Sequence, residues 1–97
     1  MSEPAGTMSL HVLVVDDEAN IRKTLSFCLE AEGHGVISVS NFKDAVAEAS
    51  RRSFDVAFVD LRLGTASGLD LITQLKAITP WLKIIIITAY ASIDTAV

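Results

Sequence analysis

Four short apolar runs, each separated from the next by an amphipathic stretch, limit what this chain can fold into. The runs are His11–Val15 (HVLVV), Val36–Ser40 (VISVS), Asp55–Val59 (DVAFV) and Lys83–Ile87 (KIIII). Each has the length of a strand and is too short for an ordinary helix. HVLVV, DVAFV and KIIII are almost continuously apolar, as strands covered on both faces are. Between the runs the period changes. Ile21, Leu25, Cys28 and Leu29 recur at i, i+4, i+7 and i+8, one face of a helix that Glu18 opens and Gly33 and Gly35 stop. Phe42, Ala45, Val46 and Ala49 mark a second helix with Asn41 as its N-cap, and Leu71, Ile72, Leu75 and Ile78 a third that Pro80 ends. Gly64–Gly68 reads as a small-residue loop, and Ser92–Val97 opens a fourth helix. The order is therefore βαβαβαβα. Right-handed crossovers turn that order into a doubly wound parallel α/β sheet with helices on both faces.

The 97 residues suffice for one domain. Residues 1–9 read as a flexible leader and residues 10–97 as the folded unit. With 51% hydrophobic and 21% charged residues, the chain has the means to form a core and little tendency to disorder. Cys28 is the single cysteine, which excludes an internal disulfide and a CxxC-type zinc site; it is read as inert packing on the first helix. A net charge of −4 argues against nucleic-acid binding by this chain. No apolar run approaches the ~20 residues of a membrane span, and the start carries no signal pattern. These features point to a soluble protein of a reducing compartment, the cytoplasm.

Open parallel sheets bind ligands at the carboxyl ends of their strands, where the strand order reverses. The first strand ends in Asp16-Asp17-Glu18, the third in Asp60 and the fourth in Thr88. If the first and third strands are neighbours, Asp16, Asp17 and Asp60 crowd one rim and repel one another. A divalent cation relieves that repulsion, and a few carboxylates plus water suit Mg²⁺. A carboxylate beside such an ion can attack phosphorus and form an acyl phosphate. Asp60 is the candidate nucleophile, and Thr88 can donate a hydrogen bond to a phosphoryl oxygen. The alternative for each acid taken alone is a helix cap, as Asp17 would be for the first helix.

With these residues in view, the chain resembles the receiver domains of two-component response regulators. The matching stretches are VLVVDDE (Val12–Glu18), DVAFVDLRLG (Asp55–Gly64), SGLDLI (Ser67–Ile72) and KIIIITAYAS (Lys83–Ser92). The resemblance implies a flavodoxin-like fold with strand order 2-1-3-4(-5), the fifth strand and last helix being missing from this chain. It implies that Asp60 accepts a phosphoryl group from a phosphohistidine on a sensor histidine kinase. It implies Mg²⁺ held by Asp17, Asp60 and the carbonyl of Arg62, with Asp16 assisting through water, and a switch carried by Thr88. The details (LRLG, SGLDLI, ITAYASIDTAV) look most like receivers of the nitrogen-regulatory class of transcription activators, which precede an ATPase and a helix-turn-helix domain.

The sequence departs from that pattern in places. Many members of the family carry proline where this chain has Gly64, which implies a more mobile loop here. The family's lysine and switch aromatic on the fifth strand lie beyond Val97. Lys83 cannot replace that lysine, being about 16 Å from Thr88 along its strand; Lys76 sits late in a helix that leads away from the rim. An apolar fourth strand with no fifth beside it is an exposed edge, to be covered by a second copy or by further chain. A homodimer through this edge or the fourth helix is the corresponding expectation. Arg62 and Tyr90 border the water path to the acyl phosphate in the family and are expected to tune its lifetime. His11 and His34 lack metal-ligand spacing, and His34 reads as a solvated turn residue. Trp81 is expected to cover the bottom of the sheet, and Asp44, Glu48, Arg51 and Arg52 to form a solvated helix face. Two other functions are weighed. A phosphohydrolase of the haloacid dehalogenase type requires an aspartate two residues after its nucleophile, where Arg62 stands. A phosphorylation-independent interaction module would keep the acids as structure only.

Overall fold

The computed structural model describes residues 9–87. Five-residue strands β1 (His11–Val15), β2 (Gly35–Val39), β3 (Val56–Asp60) and β6 (Lys83–Ile87) form one sheet in the order β2-β1-β3-β6. Every pairing in it is parallel, with Val15 opposite both Val39 and Val59, and Asp60 opposite Ile87. Helices α1 (Ala19–Ala31), α2 (Phe42–Arg51) and α3 (Gly68–Ile78) make the crossovers. Between β3 and α3 lies a two-strand hairpin, β4 (Arg62–Leu63) and β5 (Ala66–Ser67). The sequence reads that segment as loop, because two-residue strands leave no periodicity to detect.

β1 is central and buried from Val12 onward. Its side chains alternate between faces. Leu13 and Val15 join Ala57 and Val59 of β3, Ala45 and Ala49 of α2, and Leu71 and Leu75 of α3 in the main core, which Phe54, Leu63 and Leu82 close. Val12 and Val14 point to the other face, which α1 covers. Fully burying one of these leucines or valines contributes about 1.5–3 kcal/mol. Asn41 caps α2 by accepting the Asp44 N–H at 2.8 Å, as the sequence predicts. Ser67 caps α3 by accepting the Leu69 N–H at 3.2 Å. Glu48 pairs with Arg51 and Arg52 on the outer face of α2, the solvated face expected there. With both arginines as hydrogen-bond partners, Arg52 foremost, its carboxyl titrates below the usual range.

Some strand ends move by one residue. Asp55 lies just before β3, its carboxylate accepting the His11 N–H at 2.8 Å, and Asp60, opposite Ile87, is the last strand residue. Gly35 enters β2 through its N–H to the Leu10 carbonyl. Cys28 is exposed and not buried as expected. The half-buried side of α1 runs through Ile21, Arg22, Leu25, Ser26 and Leu29, and at 3.6 residues per turn Cys28 lies about 90° round from its centre. His34 is half-buried, and its Nδ1 accepts the Leu10 N–H at 3.0 Å, so it is not simply solvated. Trp81 is 67% exposed and covers less of the sheet than expected. Among the described residues β6 has a neighbour on one side only, with Ile85 and Ile86 about half exposed.

Candidate functional site

The strand order reverses between β1 and β3, since β1 connects to β2 on one side and β3 adds on the other. The carboxyl ends of these two strands therefore flank the crevice where parallel sheets bind ligands. Asp16 follows β1 directly, Asp17 opens the turn into α1, and Asp60 ends β3. Their carboxylates offer oxygens that all lie within 4.8 Å of one another. The neighbouring of the first and third strands, on which the sequence argument depends, is thus met.

Each acid accepts one backbone N–H. Asp16 Oδ1 takes that of Glu18 at 2.8 Å, and Asp60 Oδ1 that of Arg62 at 3.1 Å. Asp17 Oδ2 takes that of Gly64 at 3.1 Å, from 47 residues along the chain. The N-cap of α1 is Glu18 with no side-chain cap bond, so Asp17 does not act as the helix cap that the sequence offers as its alternative role. The Gly64 contact joins that loop to the β1–α1 turn. Asp16 is 1% exposed. Burial pushes its carboxyl above the usual range; the Glu18 N–H opposes this, and the charges of Asp60, Asp17 and Glu18 add to it. Among the described residues the cluster is the one place where three acids converge.

Arg62, two residues after Asp60, is exposed. Thr88 and Tyr90 lie outside the described residues. Lys76 donates through Nζ to the carbonyls of Pro80 and Leu82, both at 2.8 Å, and Lys83 starts β6, so neither lysine reaches the acidic rim. Two shallow cavities lie elsewhere. One of about 540 Å³ is bordered by His11, Ile37, Arg52 and Phe54, and one of about 450 Å³ by Ile72, Lys76, Trp81 and Ile84; neither includes an acid of the cluster.

Two residues at the site escape sequence reasoning. Gly68 sits so close beneath β3 that a Cβ there would lie 2.2 Å from the Asp60 carbonyl oxygen. Arg22 donates from Nη1 to the Asp16 carbonyl at 2.8 Å, bracing the turn that carries both acids. A glycine opening a helix and an arginine in the first turn of a helix have too many ordinary uses for either to stand out beforehand.

A flavodoxin-like parallel sheet with three acids at its switch point defines the receiver class. The chain belongs to that family: the model described as the response regulator receiver domain matches residues 12–97. Among curated relatives, the alginate biosynthesis transcriptional regulatory protein AlgB of Pseudomonas aeruginosa is 44% identical over 86 residues, covering 89% of this chain and 19% of that protein. The response regulator protein PilR of the same species is 39% identical, covering 88% of this chain and 19% of that protein. The chain thus spans about a fifth of the length of these relatives. Among solved structures, a response regulator from Burkholderia pseudomallei with a phosphorylated aspartic acid, a calcium ion and citrate superposes with a TM-score of 0.82 at 39% identity, covering 91% of this chain and 52% of that one. NtrX from Brucella abortus in complex with ATP superposes with a TM-score of 0.83 at 32% identity, covering 92% of this chain and 21% of that one. The chain is a receiver domain of the two-component response regulators, a signalling switch. No helix among the described residues is long and apolar enough to cross a membrane.

Proposed function

We propose that Asp60 is the phosphoryl acceptor, taking its group from the phosphohistidine of a sensor histidine kinase with Mg²⁺ held at the same rim. The observation that carries this reading is the meeting of Asp16, Asp17 and Asp60 oxygens within 4.8 Å at the switch point. The donor set is all oxygen, which suits a hard divalent cation. Burial is the main cause of the upward push on Asp16, and the charges of Asp60, Asp17 and Glu18 add to it; a cation at the rim would relieve that added repulsion. Asp17, Asp60 and the Arg62 carbonyl would hold the ion, with Asp16 behind them through water. When bound, the ion supplies positive charge that lets the acids stay ionised together and polarises phosphoryl oxygens.

The chain's own residues do the rest. An Asp60 carboxylate oxygen attacks phosphorus, the P–N bond of the phosphohistidine breaks, and its electron pair stays on the departing imidazole, which is protonated from solvent. The Arg62 N–H steadies Asp60, and the Glu18 N–H steadies Asp16, before the donor arrives. Thr88 would hydrogen-bond the phosphoryl group and carry the change of state outward. The output is transcription control, in keeping with AlgB being a transcriptional regulatory protein, and the Ile85–Ile86 edge of β6 or the segment after it would bear the contact surface for it, including any homodimer. The chain acts as a switch and turns over only its own phosphoryl group.

Incubation of the protein with acetyl phosphate and Mg²⁺, followed by intact-mass measurement, tests this. One added phosphoryl group is expected, absent with chelator and absent in Asp60→Asn. A wild-type protein that stays unmodified, or a modified Asp60→Asn, overturns the assignment and favours an interaction module whose acids are structural.

A further inference from the structure

We propose that Arg22 is a positioning residue for the acidic rim: its guanidinium fixes the plane of the Asp16–Asp17 peptide and so holds both carboxylates where an ion can use them. The inference rests on the phosphoryl-acceptor reading above.

Arg22 stands in the first turn of α1, where its N–H makes the helical bond to the Glu18 carbonyl at 3.1 Å. A helix N-terminus carries positive partial charge, so a cation there works against the dipole. Arginine also stays in water unless it is paired, yet Arg22 is half-buried. The contact that opposes these costs is to backbone: Nη1 donates to the Asp16 carbonyl at 2.8 Å. Among the described residues, the charges that act on the Asp16 carboxyl are those of Asp60, Asp17 and Glu18, all acidic. Arg22 therefore works on the backbone of the turn and not as the counter-charge of the cluster.

The Asp16 carbonyl and the Asp17 N–H belong to one planar peptide unit. Fixing the carbonyl fixes the plane, and the plane sets the direction in which the Cα atoms on either side carry their carboxylates. The Asp16 N–H donates to the Val39 carbonyl at 3.2 Å, and Asp16 Oδ1 accepts the Glu18 N–H at 2.8 Å. Neither of these bonds holds the carbonyl. Repulsion among the three carboxylates favours a rotation of the unit that lets the exposed Asp17 move out into water. The guanidinium opposes that rotation with a charge-assisted hydrogen bond. Its own place is set by α1, whose half-buried Ile21, Leu25 and Leu29 seat the helix on the sheet. Without the bond only a fraction of molecules present the acids together, and the apparent affinity for the ion falls by that fraction. Linkage requires the ion to stabilise the bond in return.

Two variants separate the parts. Arg22→Met keeps an unbranched stem and removes the donor and its charge. The contact is made through one nitrogen, so Arg22→Lys restores a donor able to take its place. Mg²⁺ affinity is measured by calorimetry, hydrogen exchange by NMR and folding by thermal melts. The expected result for Arg22→Met is Mg²⁺ binding about tenfold weaker, as for loss of one hydrogen bond to a charged group, with Arg22→Lys within about threefold of wild type. In chelator, the Glu18 amide of Arg22→Met is expected to exchange about tenfold faster, beyond any change at the core amide of Leu13. The affinity ratio of wild type to Arg22→Met is expected to hold between about 0.05 and about 0.5 M salt, since salt screens a counter-charge and not a fixed peptide plane. Folded Arg22→Met with wild-type affinity overturns the positioning role and leaves the acceptor reading intact. So does Arg22→Lys as weak as Arg22→Met, a ratio that vanishes in high salt, or a Glu18 amide that changes only as Leu13 does. Should Arg22→Met fail to fold, the wild type decides: Mg²⁺ is expected to slow proton exchange at the Arg22 guanidinium, and unchanged exchange overturns the role equally. A wild type that binds no Mg²⁺ overturns both.

Discussion

Replacing Gly68 with alanine tests whether the start of α3 sets the position of Asp60. Gly68 is buried, and an ideal Cβ on it would lie 2.2 Å from the Asp60 carbonyl oxygen, 2.7 Å from Leu61 Cα and 3.0 Å from the Asp60 carbonyl carbon. All three are backbone atoms, so no rotamer change relieves the overlap. Carbon–oxygen contacts in folded chains sit near 3.3 Å or beyond, so α3 and the end of β3 must part by about 1 Å. The Gly68 N–H, which donates to the Leu61 carbonyl at 2.9 Å, stretches with them. Overpacking of this kind costs about 1–3 kcal/mol. Against it stands the helix propensity of alanine over glycine, at most about 1 kcal/mol in a helix interior and less at a first helical residue. The overlap wins. A net loss near 2 kcal/mol lowers Tm by roughly 8–16 °C in a domain of this size. Because the carbonyl that moves belongs to Asp60, Mg²⁺ binding weakens as well, since small misplacements of reacting groups are costly. Calorimetric melts with and without Mg²⁺ read both effects. An alanine variant that melts at or above the wild-type temperature, with the same Mg²⁺-induced rise, would refute the reasoning.

Two further outcomes follow from the burial and charge of single residues. Asp16→Asn raises Tm at neutral pH in chelator: the native carboxyl titrates above its unfolded value, so its ionised form opposes folding above the native pKa. That opposition fades as pH falls through the native pKa and is gone below the ordinary carboxylate range, so the gain shrinks on acidification; a gain that grows in acid contradicts the assignment. Leu75→Ala removes a fully buried side chain between α3 and the sheet and costs about 2–5 kcal/mol in denaturant titration; a smaller loss means the surrounding core has collapsed into the space.

The strands and helices were legible because each has its own period. HVLVV and KIIII announce strands without reference to any other residue, and the i, i+4 stripe of Leu71 and Leu75 announces α3. Asn41 is legible as a cap because an amide side chain before an apolar stripe has one common use. Boundaries were less so. Just before β3, Asp55 pairs its carboxylate with the His11 N–H, 44 residues away, a partner that no local pattern shows. The exposure of Cys28 depends on how α1 is turned about its axis, which a stripe with a wide margin does not settle.

The order of strands and helices, the crowding of acids at strand ends and the identity of the nucleophile candidate were in the linear chain, since they depend on residue type and short-range spacing. That Asp17 leans on the amide of Gly64, that Gly68 presses against the carbonyl of Asp60 and that Arg22 braces the turn between them depended on the folded chain. Such contacts join residues through backbone atoms, and a backbone amide or a missing Cβ leaves the same letter in the sequence whatever it touches.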